Sequence, residues 1–124
     1  MFNREDVTRE LGARLDADLF RVCSVLEQES VAIEGEGVVT GPAWDAMSSA
    51  GLFHSMVPKV LGGAELAPHE VVSLGEILSY HSGSAGWVFS QNAGVMSYTA
   101  FLAPECARQV AAGVPTRWRL GARR

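Results

Sequence analysis

The residues whose types and spacing best suit a binding site are Trp87, Gln91, Gly94 and Tyr98. Steps of four, three and four residues place them on one face of an α-helix. That face combines two aromatic rings, an amide and a gap, and ligand pockets pair apolar walls with a few orienting polar groups. The alternative is a helix–helix seam in which Trp87 fills space and Gln91 finds a backbone partner. Residue types alone favour the seam, because aromatic stripes usually belong to a core.

A pair of adjacent glycines at Gly62 and Gly63 invites comparison with phosphate-binding loops. The surrounding residues contain neither a Gly-x-Gly-x-x-Gly nor a Gly-Lys-Ser/Thr pattern, and no predicted strand precedes them. The pair therefore predicts a turn that needs a positive φ or close backbone approach.

The histidines and carboxylates give weak signals for chemistry. None of His54, His69 and His81 has a second ligand at a metal-type spacing, so we predict no metal site and name no catalytic residue. In the last turn of a helix His81 suits the helix dipole. The paired carboxylates fit a solvated face of the first helix or lie just past it: Glu27 with Glu29, and Glu34 with Glu36.

Composition sets the scale and the class of the protein. The 124 residues, 48% of them hydrophobic and 19% charged, are typical of one globular domain. A net charge of -4 gives no general attraction for nucleic acid or anionic lipid. The N-terminus has no apolar signal sequence, the longest apolar run is too polar to span a membrane, and Cys23 and Cys106 suit reduced thiols. We expect a cytoplasmic protein.

The elements that position these residues are predicted to be helices. An apolar stripe on the first helix follows steps of three, four and seven residues, and Gly35 and Gly37 end that helix. A second helix begins with a cap at Thr40 or Gly41 and ends before Gly51, and an exposed glycine loop covers residues 59–66. The stripe comprises Val7, Leu11, Leu15, Leu19, Val22, Leu26 and Ile33.

The second half of the chain continues this pattern. A third helix is predicted from Pro68 to about Ser82, and a fourth from Ser84 to about Leu102. The fourth helix is apolar on most sides, which predicts that it is buried in the middle of a bundle. A short helix starts at Pro104. The prediction is an all-α helical bundle, with one domain over residues 1–113 and a basic tail over 114–124.

Several segments, in this order, resemble the N-terminal helical domain of the acyl-CoA dehydrogenase superfamily. The similarity extends from the first helix to about Ala112, and Trp87 after Gly86 is more similar to the flavin-dependent monooxygenase branch, the hydroxylases. The segments are Trp44–Phe53 (WDAMSSAGLF), Val57–Pro58, Leu61–Gly63, Val71–Leu78 (VVSLGEIL) and Gly83–Val88 (GSAGWV).

The resemblance implies a function that this segment serves only in part. In that family a β-domain and a C-terminal helical bundle hold FAD or reduced FMN between them. The N-terminal helices form a wall of the substrate pocket and contribute to oligomer contacts. By position, Trp87, Gln91, Asn92 and Tyr98 resemble pocket-wall residues. The substrate is a small molecule, either an acyl-CoA thioester or an aromatic compound, and the sequence leaves that choice open.

The end of the chain departs from the family pattern. Residues 114–124 are rich in arginine, at Arg117, Arg119, Arg123 and Arg124, where the family continues into apolar strands. We therefore expect a truncated or frameshifted member that is catalytically incomplete alone and binds no flavin tightly. A natural short paralogue and a basic tail for an acidic partner are the alternatives. The second candidate function is a stand-alone helical module that oligomerises or docks on a full-length paralogue.

Overall fold

The described part of this chain is built from helices and short 3₁₀ turns. The computed structural model describes the backbone of residues 4–113 and the side chains of residues 18–112. Within residues 4–113 there is no strand, so the predicted all-α class is confirmed. The basic tail, residues 114–124, lies outside the described residues. The α-helices are α1 (Arg4–Glu36), α2 (Gly41–Ser49), α3 (Pro68–His81), α4 (Gly83–Met96) and α5 (Pro104–Gly113), with 3₁₀ turns at Leu52–His54, Lys59–Leu61 and Ser97–Phe101.

The core lies between α1, α2, α3 and α4. The described part of the predicted stripe on α1 is buried at Leu19, Val22, Leu26 and Ile33. These side chains belong to one apolar cluster with residues of α2, α3 and α4. The stripe prediction is therefore confirmed from Leu19 onward, while Val7, Leu11 and Leu15 lie outside the described side chains.

Glycine and proline set the boundaries of α2 much as the sequence predicts. The helix has proline in its first turn, and Gly51 follows it with a left-handed φ of 73°. Thr40 is the N-cap residue, but its hydroxyl makes no capping bond and instead donates to Glu29 Oε2 on α1 at 2.7 Å. After the turn at Gly51, Phe53 packs on Trp44, with ring centroids 4.7 Å apart.

The glycine loop shows both features that were predicted for it. Gly62 has a φ of 88°, and a Cβ on Gly63 would lie 2.1 Å from the Val57 carbonyl oxygen. The loop returns along the preceding segment, where Leu66 N–H donates to the Ser55 carbonyl at 2.8 Å. Leu66 is buried, so the prediction of a wholly exposed loop is wrong at its last residue.

Helices α3 and α4 approach each other closely and run antiparallel. A Cβ on Gly86 of α4 would lie 1.9 Å from Ser79 Oγ of α3, and a Cβ on Gly75 would lie 3.6 Å from Phe89. Between the two helices, the Ser82 hydroxyl oxygen caps α4 by accepting from Ala85 N–H at 3.2 Å.

Two predictions for the fourth helix need correction. It ends at Met96, where a 3₁₀ turn takes over, and one side of it is exposed to solvent rather than buried in a bundle. The physical reason is that the helix packs on the rest of the fold through one side only: Ala85, Gly86, Phe89, Ala93 and Met96 are buried there, and Trp87 and Val95 are left exposed. None of the described helices has the length and hydropathy required to cross a lipid bilayer.

Candidate functional site

The aromatic face of α4 is open to solvent. Trp87 and Tyr98 are each 67% exposed, and Gln91 and Gly94 between them are exposed too. Trp87, Gln91 and Gly94 share one side of α4, as their spacing predicts, and Tyr98 follows in the 3₁₀ turn Ser97–Phe101. The seam interpretation is wrong for the described part of the chain, because no described element covers Trp87 or Tyr98. An exposed tryptophan and tyrosine on one helix face are typical of a surface that meets a ligand or a partner.

Asn92 occupies a different position from the other predicted wall residues. It lies one residue past Gln91, which turns it by about 100° around the helix, and it is buried. Its Nδ2 donates to the Val88 carbonyl at 2.8 Å. The structure therefore groups Trp87, Gln91 and Tyr98, and it places Asn92 on the inner side of α4 with a bonded amide.

Helix α3 adds residues to the same face that the sequence analysis did not single out. Gly86 lies against Ser79, so in this antiparallel pair the next residue on each helix turns about 100° toward the same side of the two-helix layer. Those next residues are Trp87 and Tyr80. Tyr80 is 71% exposed, and Val72 and Glu76 precede it at steps of four. The four-residue spacing of Val72, Glu76 and Tyr80, outside the apolar core stripe of α3, was the sequence signal that could have placed Tyr80 on an exposed face.

The two helices together form a face that we call the α3–α4 face. It is aromatic and apolar, with hydroxyl and amide groups and one carboxylate. Its exposed members are Val72, Glu76, Ser79, Tyr80, Trp87, Ser90, Gln91, Gly94 and Tyr98. No basic side chain belongs to this set, and between Val22 and Ala107 the sequence has only Lys59, which lies in the loop before α3.

A buried histidine supports Tyr80 from below the face. The Tyr80 ring meets the His81 ring edge-on, at 82° and 5.3 Å between centroids. The side chain of His81 is only 5% exposed, and its Nδ1 donates to Glu27 Oε1 of α1 at 2.8 Å. Glu27 lies on the solvated side of α1, as predicted, and Glu29 is partly exposed there. Each carboxylate also accepts a hydrogen bond that the sequence did not indicate, from His81 and Thr40 respectively.

A concave region lies around the turn between α2 and the glycine loop. It encloses about 230 Å³, below the usual size of a drug-sized ligand pocket. His54 lines it, and the Nε2 of that ring is buried without a hydrogen-bond partner among the described residues. Since solvent does not reach Nε2, the nitrogen is not presented to a molecule entering this hollow.

Metal and thiol chemistry find little support in the described chain. Across residues 18–112 no three His, Cys, Asp or Glu side chains come together as metal ligands. Cys23 is half-buried and Cys106 is exposed. The α3–α4 face therefore remains the principal candidate site.

Comparison with known proteins finds a similar curated protein but no matching family model or solved structure. The chain is 31% identical over 75 residues to a protein of Acinetobacter baumannii (strain ATCC 19606) named indole-3-acetate monooxygenase. The aligned residues make up 59% of this chain and 19% of that relative, so the chain spans about a fifth of the relative's length. No protein-family model matches the chain, and no solved structure matches it significantly.

Proposed function

We propose that this chain forms the helical wall of the substrate pocket in a flavin-dependent oxidoreductase of the monooxygenase type. The observation that carries the proposal is the similarity to an indole-3-acetate monooxygenase. The similarity of Gly51–Gly63 and Gly83–Val88 to the acyl-CoA dehydrogenase superfamily supports the same class. In this proposal FAD or reduced FMN is held by polypeptide beyond these helices. Only the complete enzyme, which includes that polypeptide, is then active.

The α3–α4 face supports the proposal from the side of the site. Trp87, Gln91 and Tyr98 present two rings and an amide to solvent, which is the composition expected of a pocket wall. A pocket needs walls on several sides, and this face supplies one. Covering these exposed rings with a ligand or another domain is favourable, because it removes apolar surface from water.

The face also favours an aromatic compound over an acyl-CoA thioester. Coenzyme A carries several phosphate charges, which proteins usually meet with lysine, arginine or helix N-termini. No basic side chain belongs to the exposed set on this face. An aromatic substrate gains from Trp87 and Tyr98 by stacking without needing a counter-charge.

A chimeric enzyme tests the proposed function. Residues 1–113 of this chain replace the corresponding N-terminal helices of the A. baumannii relative. We expect a folded flavoprotein whose oxygen consumption depends on an added aromatic substrate. The Trp87→Ala variant of the chimera should raise KM or lower kcat/KM by roughly tenfold, the loss of about 1.4 kcal/mol of aromatic contact.

The matched control in the chimera is Phe101→Ala, which removes an exposed ring outside the α3–α4 face. It should leave kcat/KM within about twofold, as most exposed substitutions do. A well-folded, flavin-loaded chimera that oxidises no aromatic substrate contradicts the proposed function. Equal losses in the two variants contradict the assignment of the face.

A second candidate is a stand-alone helical module that pairs with itself or with a paralogue. The exposure of Val72, Tyr80 and Trp87 on the α3–α4 face favours it, since exposed apolar surface marks an interaction site. Sedimentation of the 124-residue chain distinguishes it. Concentration-dependent dimers that Trp87→Ala weakens support the module, and a monomer at all concentrations contradicts self-pairing.

A further inference from the structure

We propose that Tyr80 and Trp87 form a two-ring slot that binds a flat aromatic ring carrying an N–H or ammonium group. The setting of this inference, a substrate-facing wall, rests on the proposed function. The slot itself comes from the geometry of α3 and α4. Tyr80 would thereby be a substrate-contacting residue that the sequence pattern of α4 does not include.

The close contact of the helices fixes the side from which the Tyr80 and Trp87 side chains leave the two-helix layer. Ser79 and Gly86 are opposite each other, so Tyr80 and Trp87 leave their helices toward the same side. Side chains on a helix lean toward its N-terminus. Because the helices are antiparallel, these tilts bring the two side chains toward the same height along the helix axes and do not separate them.

The general spacing of packed helices leaves room for a third ring between these two side chains. Helices pack with axes roughly 8–10 Å apart, and a glycine at the contact favours the short end of that range. Aromatic carbons stack at about 3.5–4.0 Å, so a ring held between two others needs about 7–8 Å. Small groups form the floor, with Ser79, Gly86 and the Ser90 hydroxyl, which donates to the Gly86 carbonyl at 2.8 Å.

Tyr80 is supported in a way that suits an anchoring ring. Its neighbour His81 is nearly buried, meets the Tyr80 ring edge-on and is bonded to Glu27 of α1. The Tyr80 ring therefore lies against a nearly buried side chain that is hydrogen-bonded to α1. A preorganised ring loses less conformational entropy when a ligand binds.

The charge around the slot defines the polar group of its occupant. Glu76 precedes Tyr80 by one helical turn on the same face, and it is exposed. No basic side chain lies among the exposed residues of the α3–α4 face. A carboxylate beside an aromatic slot attracts an N–H or ammonium group and disfavours a second carboxylate. The slot by itself thus selects tryptamine-like rings over indole-acid rings.

The test uses the 124-residue chain and three probes that share one ring: tryptamine, indole and indole-3-acetate. Indole N–H signals of the tryptophans are followed by ¹⁵N NMR, with Trp87→Phe assigning the signal of Trp87. We expect tryptamine to shift that signal most and indole-3-acetate least. Tyr80→Leu should weaken tryptamine binding by roughly 3- to 10-fold, and Tyr80→Phe should keep it within about twofold, because the ring remains.

Two controls keep the outcome decisive. Phe101→Leu removes an exposed ring outside the slot and should leave the affinity unchanged. Glu76→Gln should remove the preference for tryptamine over indole-3-acetate. No shift of the Trp87 signal at millimolar tryptamine overturns the slot, and equal effects of Tyr80→Leu and Phe101→Leu overturn it as well. Since flavin takes no part in this measurement, a failed slot and an inactive chimera are separate results.

Discussion

Ser79 of α3 fills the space that a side chain at Gly86 of α4 would need. A Cβ on Gly86 would lie 1.9 Å from Ser79 Oγ, 2.9 Å from its Cβ and 3.0 Å from its Cα. Rotating the hydroxyl relieves only the first of these contacts. The close approach of the two helices, and with it the arrangement of the α3–α4 face, therefore depends on glycine at this position.

Replacing Gly86 with alanine should push the helices apart. We expect Gly86→Ala to lower the free energy of unfolding by about 1–3 kcal/mol, the usual effect of overpacking. Gly94→Ala is the matched control, since nothing lies within 4 Å of a Cβ there, and it should stabilise α4 by about 0.5–1 kcal/mol. Urea unfolding followed by circular dichroism measures the free energy of unfolding of both variants. Equal changes in the two variants would contradict the close contact at Gly86.

The glycine loop offers a second test of close backbone contact. A Cβ on Gly63 would lie 2.1 Å from the Val57 carbonyl oxygen and 2.4 Å from its Cβ, so Gly63→Ala should destabilise by at least about 2 kcal/mol. Gly62→Ala has open space but a φ of 88°, and we expect a cost of about 1 kcal/mol. Thermal unfolding of both variants should rank Gly63→Ala as the less stable, and the reverse order would contradict this account.

The hydrogen bond between Glu27 and His81 should stabilise the attachment of α3 to α1. Glu27→Ala removes the acceptor of the His81 Nδ1 proton, and we expect a loss of about 1 kcal/mol, since the carboxylate is largely exposed. Glu34→Ala, an exposed acid on the same helix, should change stability by less than about 0.5 kcal/mol. Chemical denaturation distinguishes the two, and indistinguishable midpoints would show that the bond is energetically neutral.

The aromatic pair in the core should matter far more than an exposed ring of the same type. Phe53 is buried against Trp44, and Phe53→Ala should destabilise by about 3–5 kcal/mol. Phe101 is 85% exposed, and Phe101→Ala should have an effect below about 0.5 kcal/mol. Differential scanning calorimetry compares the two. A large effect at Phe101 would indicate that this ring is covered in solution.

Much of the helical framework follows from local sequence signals. The ends of α1 and α2 coincide with Gly37 and Gly51, which take the left-handed conformation that favours glycine. Periodicity also identifies the buried stripe of α1 from Leu19 onward, because one face of a helix must meet the core. These features depend on neighbouring residues, and a single sequence contains them.

The environment of α4 could not be obtained in this way. Its composition is apolar on most sides, and both a buried helix and a half-exposed one satisfy that pattern. Trp87 is exposed because α3 packs against the neighbouring side of α4, where Gly86 meets Ser79, and that side depends on which helix packs there. Tyr80 and Trp87 lie on the same face only because Ser79 and Gly86 bring the two antiparallel helices together.

The sequence alone thus determined the all-α class, the ends of α1 and α2 and the shared side of Trp87 and Gln91, because helical periodicity and glycine conformation act over a few residues. Only the tertiary structure decided that this face is open, that Asn92 belongs to the inner side, and that Glu27 reaches His81 across 54 positions of chain. Such contacts arise from the mutual fit of whole helices, and no local pattern encodes which partner each surface meets.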